Sequence, residues 1–370
     1  ASRSDINLVL LDVMMPRMNG YEVCRRIREK YLPSELPVIM VTAKNQVADL
    51  VQGLSLGAND YIAKPFSKEE LLARVKTQID LLRIYSVAER FVPGEFIRAL
   101  GHERITEVAL GDQTQRDVTV FFTDIRDYTA LSEQMTPEDN FRFVNAFNSR
   151  MGPAIRQHEG FINQYLGDGI MAIFPQKPED ALHAAILMQQ VISNYNTERT
   201  LKHWKPIKVG MGLHTGPLIL GITGDEKRLD AATISDAVNT ASRIENLTKY
   251  YSVKILLSEN TVHQIHDISP FSLRYLGEVQ VKGKQRAVGI YECFDADPEP
   301  LLAKKRATLD LFSEGIRHYL AGEFDAASRA LRKVVQQNPD DFTALLFLGK
   351  IDGFIRNGIP NDWTGVEKMA

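Results

Sequence analysis

Two carboxylates stand out by where they fall. Asp124 closes the apolar run VTVFFTDI, and Asp168 sits between two glycines in LGDGIMAIF, forty-four residues later. An aspartate beside a glycine ordinarily caps a turn, and alone it carries little. Two such groups at the ends of neighbouring strands are different. They repel unless a proton or a cation lies between them. Hard divalent cations with oxygen ligands, paired with a phosphate substrate, are the usual resolution. The residues after Asp124, TDIRDYTALS, predict a helix N-terminus, whose free N–H groups suit phosphate oxygens. Arg126 falls in that turn and is a candidate phosphate contact.

A second pair lies in ISDAVNTASRIENL. Asn239 and Arg243 are four apart and share one helix face. The bland reading is a solvated polar face. The sharper one is that an amide and a guanidinium together orient a ribose and neutralise a transferring phosphoryl group.

The elements that must position these groups can be read from apolar periodicity. Residues 1–83 alternate strand and helix: INLVLLD, GYEVCRRIREKY, PVIMVTA, VADLVQGLSLGA, DYIAKPF, and a helix from SKEELLARV. Continuous apolar strands alternating with helices predict a parallel sheet covered on both faces. Ser67 with Glu70 predicts a capping box. Leu72, Val75, Ile79 and Leu82 suit a helix that leaves the domain and pairs with a copy of itself. A helical connector broken at Pro93-Gly94 covers 84–113. A second α/β unit follows over 114–295, in which Gly160–Phe174 reads as a hairpin around Gly167-Asp168. Its helix from Thr136-Pro137 carries Phe143, Phe147, Met151 and Ile155 at a spacing of four. Residues 296–370 predict a helical tail with tetratricopeptide-like spacing; one repeat cannot bury its own face, so it must pack on the preceding domain or on a partner.

Bulk composition narrows the class. The chain has 370 residues, 44% hydrophobic and 25% charged, with net charge −3. This predicts packed domains and gives no footprint for nucleic acid. Cys24 and Cys293 have no CxxC partner, so neither a disulfide framework nor a zinc site is expected. No apolar run is long enough to span a membrane, no signal peptide is visible, and a cytoplasmic location is expected. The abrupt start suggests a fragment. His214 in GLHTG reads as a satisfied core residue.

In order and spacing, FFTDIRDYT, GFINQYLGDGIMAIF, GMGLHTGPLILGITG, ISDAVNTASR and VKGK resemble a class III adenylate/guanylate cyclase catalytic domain. The resemblance implies an α/β sandwich with a ferredoxin-like core and a head-to-tail homodimer with two active sites at the interface. One protomer would supply Asp124 and Asp168 for two Mg²⁺ or Mn²⁺ ions, helped by the Ile125 carbonyl. The other would supply Asn239 for the ribose, Arg243 for the transition-state phosphate, and Lys282, with Lys284 in reserve, for the triphosphate. The implied reaction is attack of the ribose 3′-hydroxyl on the α-phosphate with loss of pyrophosphate.

Base recognition departs from the family pattern. Adenylate cyclases of this family carry Lys where Gln164 stands, paired with Asp or Thr where Ala232 stands; guanylate cyclases carry Glu at the first position. Gln can serve either base, and Ala reads nothing, so weaker discrimination is expected. The receiver fusion and the FVPGEF connector resemble bacterial adenylate cyclases, and ATP is the expected substrate, with GTP or dual specificity, or a degenerate nucleotide-binding module, as alternatives. A diguanylate cyclase needs a second acid that LGDGIM lacks.

Residues 1–83 resemble a two-component receiver domain without its first part. Asp12 in LLDVMMPRMNG matches the phospho-acceptor, Thr42 the switch hydroxyl and Lys64 the phosphate-pairing lysine. The resemblance implies phosphorylation by an upstream histidine kinase or kinase domain. The acids that bind Mg²⁺ in such domains are expected upstream of residue 1, so Asp12 should accept little phosphate.

Overall fold

The computed structural model describes residues 6–43, 47–280, 286–358 and 363–368. The chain divides into two compact units, Ala1–Gly94 and Glu95–Ala370.

In the first unit β1 (Val9–Asp12), α1 (Gly20–Arg28), β2 (Val38–Thr42), α2 (Val47–Ser55), β3 (Asp60–Ala63) and α3 (Lys68–Phe91) alternate. The strands form a parallel sheet in the order β1-β2-β3. One face packs Leu11, Val38 and Met40 with Cys24 of α1; the other packs Ile39, Val41 and Ile62 against Leu71 and Val75 of α3. Burial on both sides explains why these strands read as unbroken apolar runs. Ser67 caps α3, its Oγ accepting the Glu70 N–H at 3.1 Å. α3 is one helix through Phe91, so it includes residues 84–91.

The second unit begins within α4 (Gly94–Ala99). It continues through β4 (Gln113–Ile125), α5 (Tyr128–Ser132), α6 (Pro137–Gln157), β5 (Phe161–Leu166), β6 (Gly169–Phe174), α7 (Pro178–Leu201) and β7 (Val209–Gly224). Then come β8 (Leu229–Ile234), α8 (Asp236–Tyr251), β9 (Ile255–Ser258), α9 (Glu259–Gln264), β10 (Leu273–Gln280) and β11 (Val288–Cys293). The tail is α10 (Glu299–Ala307), α11 (Leu309–Leu320), α12 (Phe324–Gln337), α13 (Phe342–Asn357) and β12 (Val366–Lys368).

One mixed sheet runs β12-β10-β11-β9-β7-β4-β6-β5, with β8 paired to β7. Its half β7-β4-β6-β5 is the ferredoxin-like core. The crossover through α6 carries the chain from β4 to β5, and β6 returns between them, antiparallel to both. α6 and α7 cover one face: Phe143, Phe147, Met151 and Ile155 meet Phe121, Ile125, Ile170 and Ala172 of the sheet. α8 lies on the other face, against β7 and β9.

The tail packs on the domain before it. Phe312, Ile316, Tyr319, Phe324, Leu331 and Phe347 share a core with Ile244, Leu247 and Tyr251 of α8 and with Leu276 and Ile290 of the sheet. Beneath it lies a buried ionic network. Arg274 on β10 faces Glu292 on β11 in register, and donates to Asp341 at 2.6 and 3.1 Å. Lys305 of α10 bonds Glu292 and Asp297, each at 2.6 Å. Asp341 and Glu292 are buried, so these charges hold tail and sheet together only as a set.

Candidate functional site

The β5–β6 connection is a two-residue turn, Gly167-Asp168, with Leu166 paired to Gly169. Gly167 has φ +74°, the left-handed geometry that a primed hairpin turn needs at its first position. β6 then runs beside β4 with Thr123 opposite Ile170, which carries Asp168 to the end of β4 where Asp124 lies. Gly169 permits this approach: a Cβ there would lie 2.6 Å from the Thr123 carbonyl oxygen and 3.5 Å from Asp124 Oδ1. The two carboxyls meet. Burial, then the Asp168 charge and a hydrogen bond to Asp168, push Asp124 up to about 6.

Sequence reasoning missed a third acid here. Glu245 of α8 is buried, and burial, then the charges of Asp124 and Asp168, push it up to about 7. It reaches this place because Asp124 and Phe122 pair with Gly210 and Gly212 of β7. A Cβ on Gly212 would run into the backbone of Glu245, and one on Gly210 would lie 2.6 Å from Glu245 Oε1. The signal was present in the sequence as a glutamate within the stripe Ala237, Ala241, Ile244, Thr248 that α8 buries.

No group of three or more His, Cys, Asp or Glu side chains that could hold a metal occurs among the described residues. The paired carboxylates of Asp124 and Asp168 are nevertheless hard oxygen donors of the kind that Mg²⁺ or Mn²⁺ takes. A cation there would relieve the like-charge pair, and phosphate oxygens would complete its shell.

Arg126 donates to the Thr248 carbonyl at 2.8 Å and to the Val253 carbonyl, while its own N–H donates to Lys208 at 2.8 Å. It thus ties the end of β4 to the C-terminal end of α8. Asp127 pairs with Lys249 at 3.1 Å in the same place.

Asn239 is exposed and Arg243 half-buried. Four apart on α8, they continue in the polar stripe Asn246 and Tyr250, turned away from the stripe that buries Glu245. Neither side chain has a hydrogen bond or ion pair among the described residues. The structure therefore does not bring Asn239 and Arg243 to the same chain's Asp124 and Asp168. Gln164 is exposed on β5, opposite Met171, and Ala232 is half-buried on β8, opposite Gly221. Lys282 and Lys284 lie outside the described residues. His214 is buried and shares a 2.8 Å hydrogen bond with Ser258.

In the first unit the parallel strands bring Asp12, Thr42 and Lys64 to one edge of the sheet. The Lys64 ammonium donates to the Asp12 carboxylate, and the Met14 N–H donates to its other oxygen at 2.9 Å. The lysine, first, and then this N–H hold Asp12 below the usual carboxylate range. Thr42 is buried beside them.

Residues 110–292 match the adenylate and guanylate cyclase catalytic domain, and residues 1–76 match the response regulator receiver domain. The chain is a receiver domain followed by a member of the adenylate and guanylate cyclase catalytic domain family. Over 210 residues it is 45% identical to an adenylate cyclase of Anabaena cylindrica, covering 55% of this chain and 42% of that protein. It is 34% identical over 269 residues to a terminal-differentiation-specific adenylate cyclase of Dictyostelium discoideum, covering 71% of this chain and 13% of that protein. The chain thus spans less than half the length of these curated relatives. A bacterial light-regulated adenylyl cyclase has a similar fold, with TM-score 0.53 and 20% identity over 65% of this chain and 69% of that one. No described helix is long and apolar enough to cross a membrane.

Proposed function

We propose that the second unit converts ATP to cyclic AMP and pyrophosphate as a homodimer, under control of the receiver domain. One observation carries this reading: the metal-type carboxylates and the Asn239/Arg243 pair lie on faces of one chain that cannot converge. They complete a site only when Asp124 and Asp168 of one protomer meet α8 of its partner. Two-fold symmetry then makes two such sites.

In each site Asn239 orients the ribose and Arg243 neutralises charge on the phosphoryl group as the 3′-oxygen bonds to the α-phosphorus and the bond to the bridging oxygen breaks. Asp124 and Asp168, with the Ile125 carbonyl, would hold the divalent ions, two in number on this reading, which would supply charge neutralisation for the triphosphate and the departing pyrophosphate. A lysine of VKGK, Lys282 first and Lys284 second, binds the triphosphate. The names of both curated relatives support ATP. Gln164 and Ala232 favour a second reading, a cyclase that accepts GTP as well. Asp12, with Thr42 and Lys64, matches the phospho-acceptor centre that an upstream histidine kinase or kinase domain would use.

The test is complementation. Asp124→Ala alone and Asn239→Ala alone should each be nearly inactive, since every site of each homodimer carries the lesion. In a mixed dimer one site collects both lesions and the other none. At equal mixing roughly a quarter of native activity should return. With subunit exchange verified by a label, no recovery would overturn the composite site, and native-like activity of either single mutant would overturn the residue roles.

A further inference from the structure

β5 and β6 pair regularly except at one place. Ile162 lies opposite Ala172 and Gln164 opposite Met171, so Asn163 is an extra residue on β5. In such a bulge two residues of one strand oppose one of the other, and the alternation of sides is locally lost. Asn163 Nδ2 lies 3.6 Å from Met171 Sδ, which places its side chain on Met171's side of the sheet. Gln164, as Met171's cross-strand partner, projects to that same side. Asp124 belongs to it too, because Met171 pairs with Phe122, two residues before Asp124 on β4. The bulge therefore sets two carboxamides side by side, half-buried Asn163 and exposed Gln164, on the face that carries the metal-type carboxylates.

A thioether is a weak acceptor, so the Asn163 amide is barely engaged. It has no other hydrogen bond among the described residues. Ala232 has no polar group to read a base. We infer that Asn163 is a second specificity-determining residue, which contacts the purine of the nucleoside triphosphate beside Gln164 and takes the part that Ala232 cannot. The inference rests on the cyclase reading above. Adenine offers an acceptor and a donor on its pairing edge, guanine an acceptor and two donors. Two amides, each with donor and acceptor and each able to flip, can meet either edge.

The experiment measures kcat/KM for ATP and for GTP in the full chain. Asn163→Asp presents acceptors only, so it should disfavour the ring acceptor of adenine and accept the donors of guanine. The ATP/GTP ratio should fall about tenfold. Asn163→Ala should bring the ratio nearer to one. Because the ratio is internal to each sample, partial misfolding of a variant does not move it. Displacement of a fluorescent anthraniloyl-ATP by ATP and by GTP reads the same ratio without turnover, so it decides the matter even if the chain proves inactive. A ratio within twofold of native in both variants, by both readouts, would overturn the assignment. Failure of the native full chain to form cyclic nucleotide from ATP or GTP with Mg²⁺ or Mn²⁺ would instead sink the cyclase reading, while the displacement ratio would still judge Asn163.

Discussion

Asp124 is pushed up to about 6 by burial and then by Asp168, and Glu245 up to about 7 by burial and then by Asp124 and Asp168. The sign of the consequence follows from linkage. Each binds its proton more tightly folded than unfolded, so the folded state is favoured at low pH, and that advantage is lost as pH rises. For Asp124 the window runs from about 3.8 to about 6, and for Glu245 from about 4.5 to about 7. We expect the metal-free protein to melt at a lower temperature at pH 8 than at pH 5. Mn²⁺ or Mg²⁺ should recover the difference at pH 8 and do little at pH 5, where protons compete for the carboxylates. Asp168→Asn should abolish the metal-dependent gain. Melting curves at the two pH values, with and without metal, check this, and a metal effect that persists in Asp168→Asn would place the ion elsewhere.

At the scale of elements, the site depends on how closely α8 approaches β7. That approach is made possible by the absence of side chains at Gly210 and Gly212. A methyl group at 212 would meet backbone, which cannot swing aside. Gly212→Ala should therefore push α8 outward, displace Glu245 and misplace Asn239 and Arg243 together. We expect a loss of at least 1–3 kcal/mol, of the order found for overpacked cores, with most of the activity. Gly349→Ala on α13 is the control: nothing lies within 4 Å of its added methyl, and alanine is the better helix former by about 1 kcal/mol. Urea midpoints of the two variants should move in opposite directions. Equal shifts would mean that the contact is more yielding than its geometry implies.

Across the whole second unit, the tail is part of the catalytic domain's structure and not an appendage. Thr343 donates to the Tyr251 carbonyl at the end of α8 at 3.0 Å, and the Arg274–Asp341 pair lies beneath it. Asp341 also caps α13, accepting the Ala344 N–H at 3.1 Å. Asp341→Ala would leave Arg274 buried with one partner lost, a lesion that costs about 3–5 kcal/mol in buried pairs. Denaturant unfolding of residues 95–370 should remain a single transition in the native protein and shift strongly in this variant. A separate early transition for the tail would show that it is an independent module.

Much of this was legible in the sequence, for identifiable reasons. The strands of the first unit are buried on both faces and so write themselves as apolar runs. The cap at Ser67 and the turn at Gly167-Asp168 are local, and local chemistry names them. Asp124, Asp168, Asn239 and Arg243 were found because motif spacing survives without knowledge of contacts. Other features depend on residues distant in sequence. Glu245 looked like an ordinary polar residue until two glycines thirty-odd positions earlier let its helix settle beside Asp124. Arg126 read as a phosphate candidate, whereas the fold sets its guanidinium against the carbonyls that end α8. Asn163 and Gln164 lie on one side because the turn and Phe161 fix both ends of β5 while the stretch of β6 paired to it, Gly169–Ile173, is one residue shorter, and strand alternation alone would have put them on opposite sides. The sequence by itself determined the elements, the family resemblance and the residue types of the site. Only the tertiary structure decided which side chains share a face, because strand register and helix approach are settled by packing between segments and not within them.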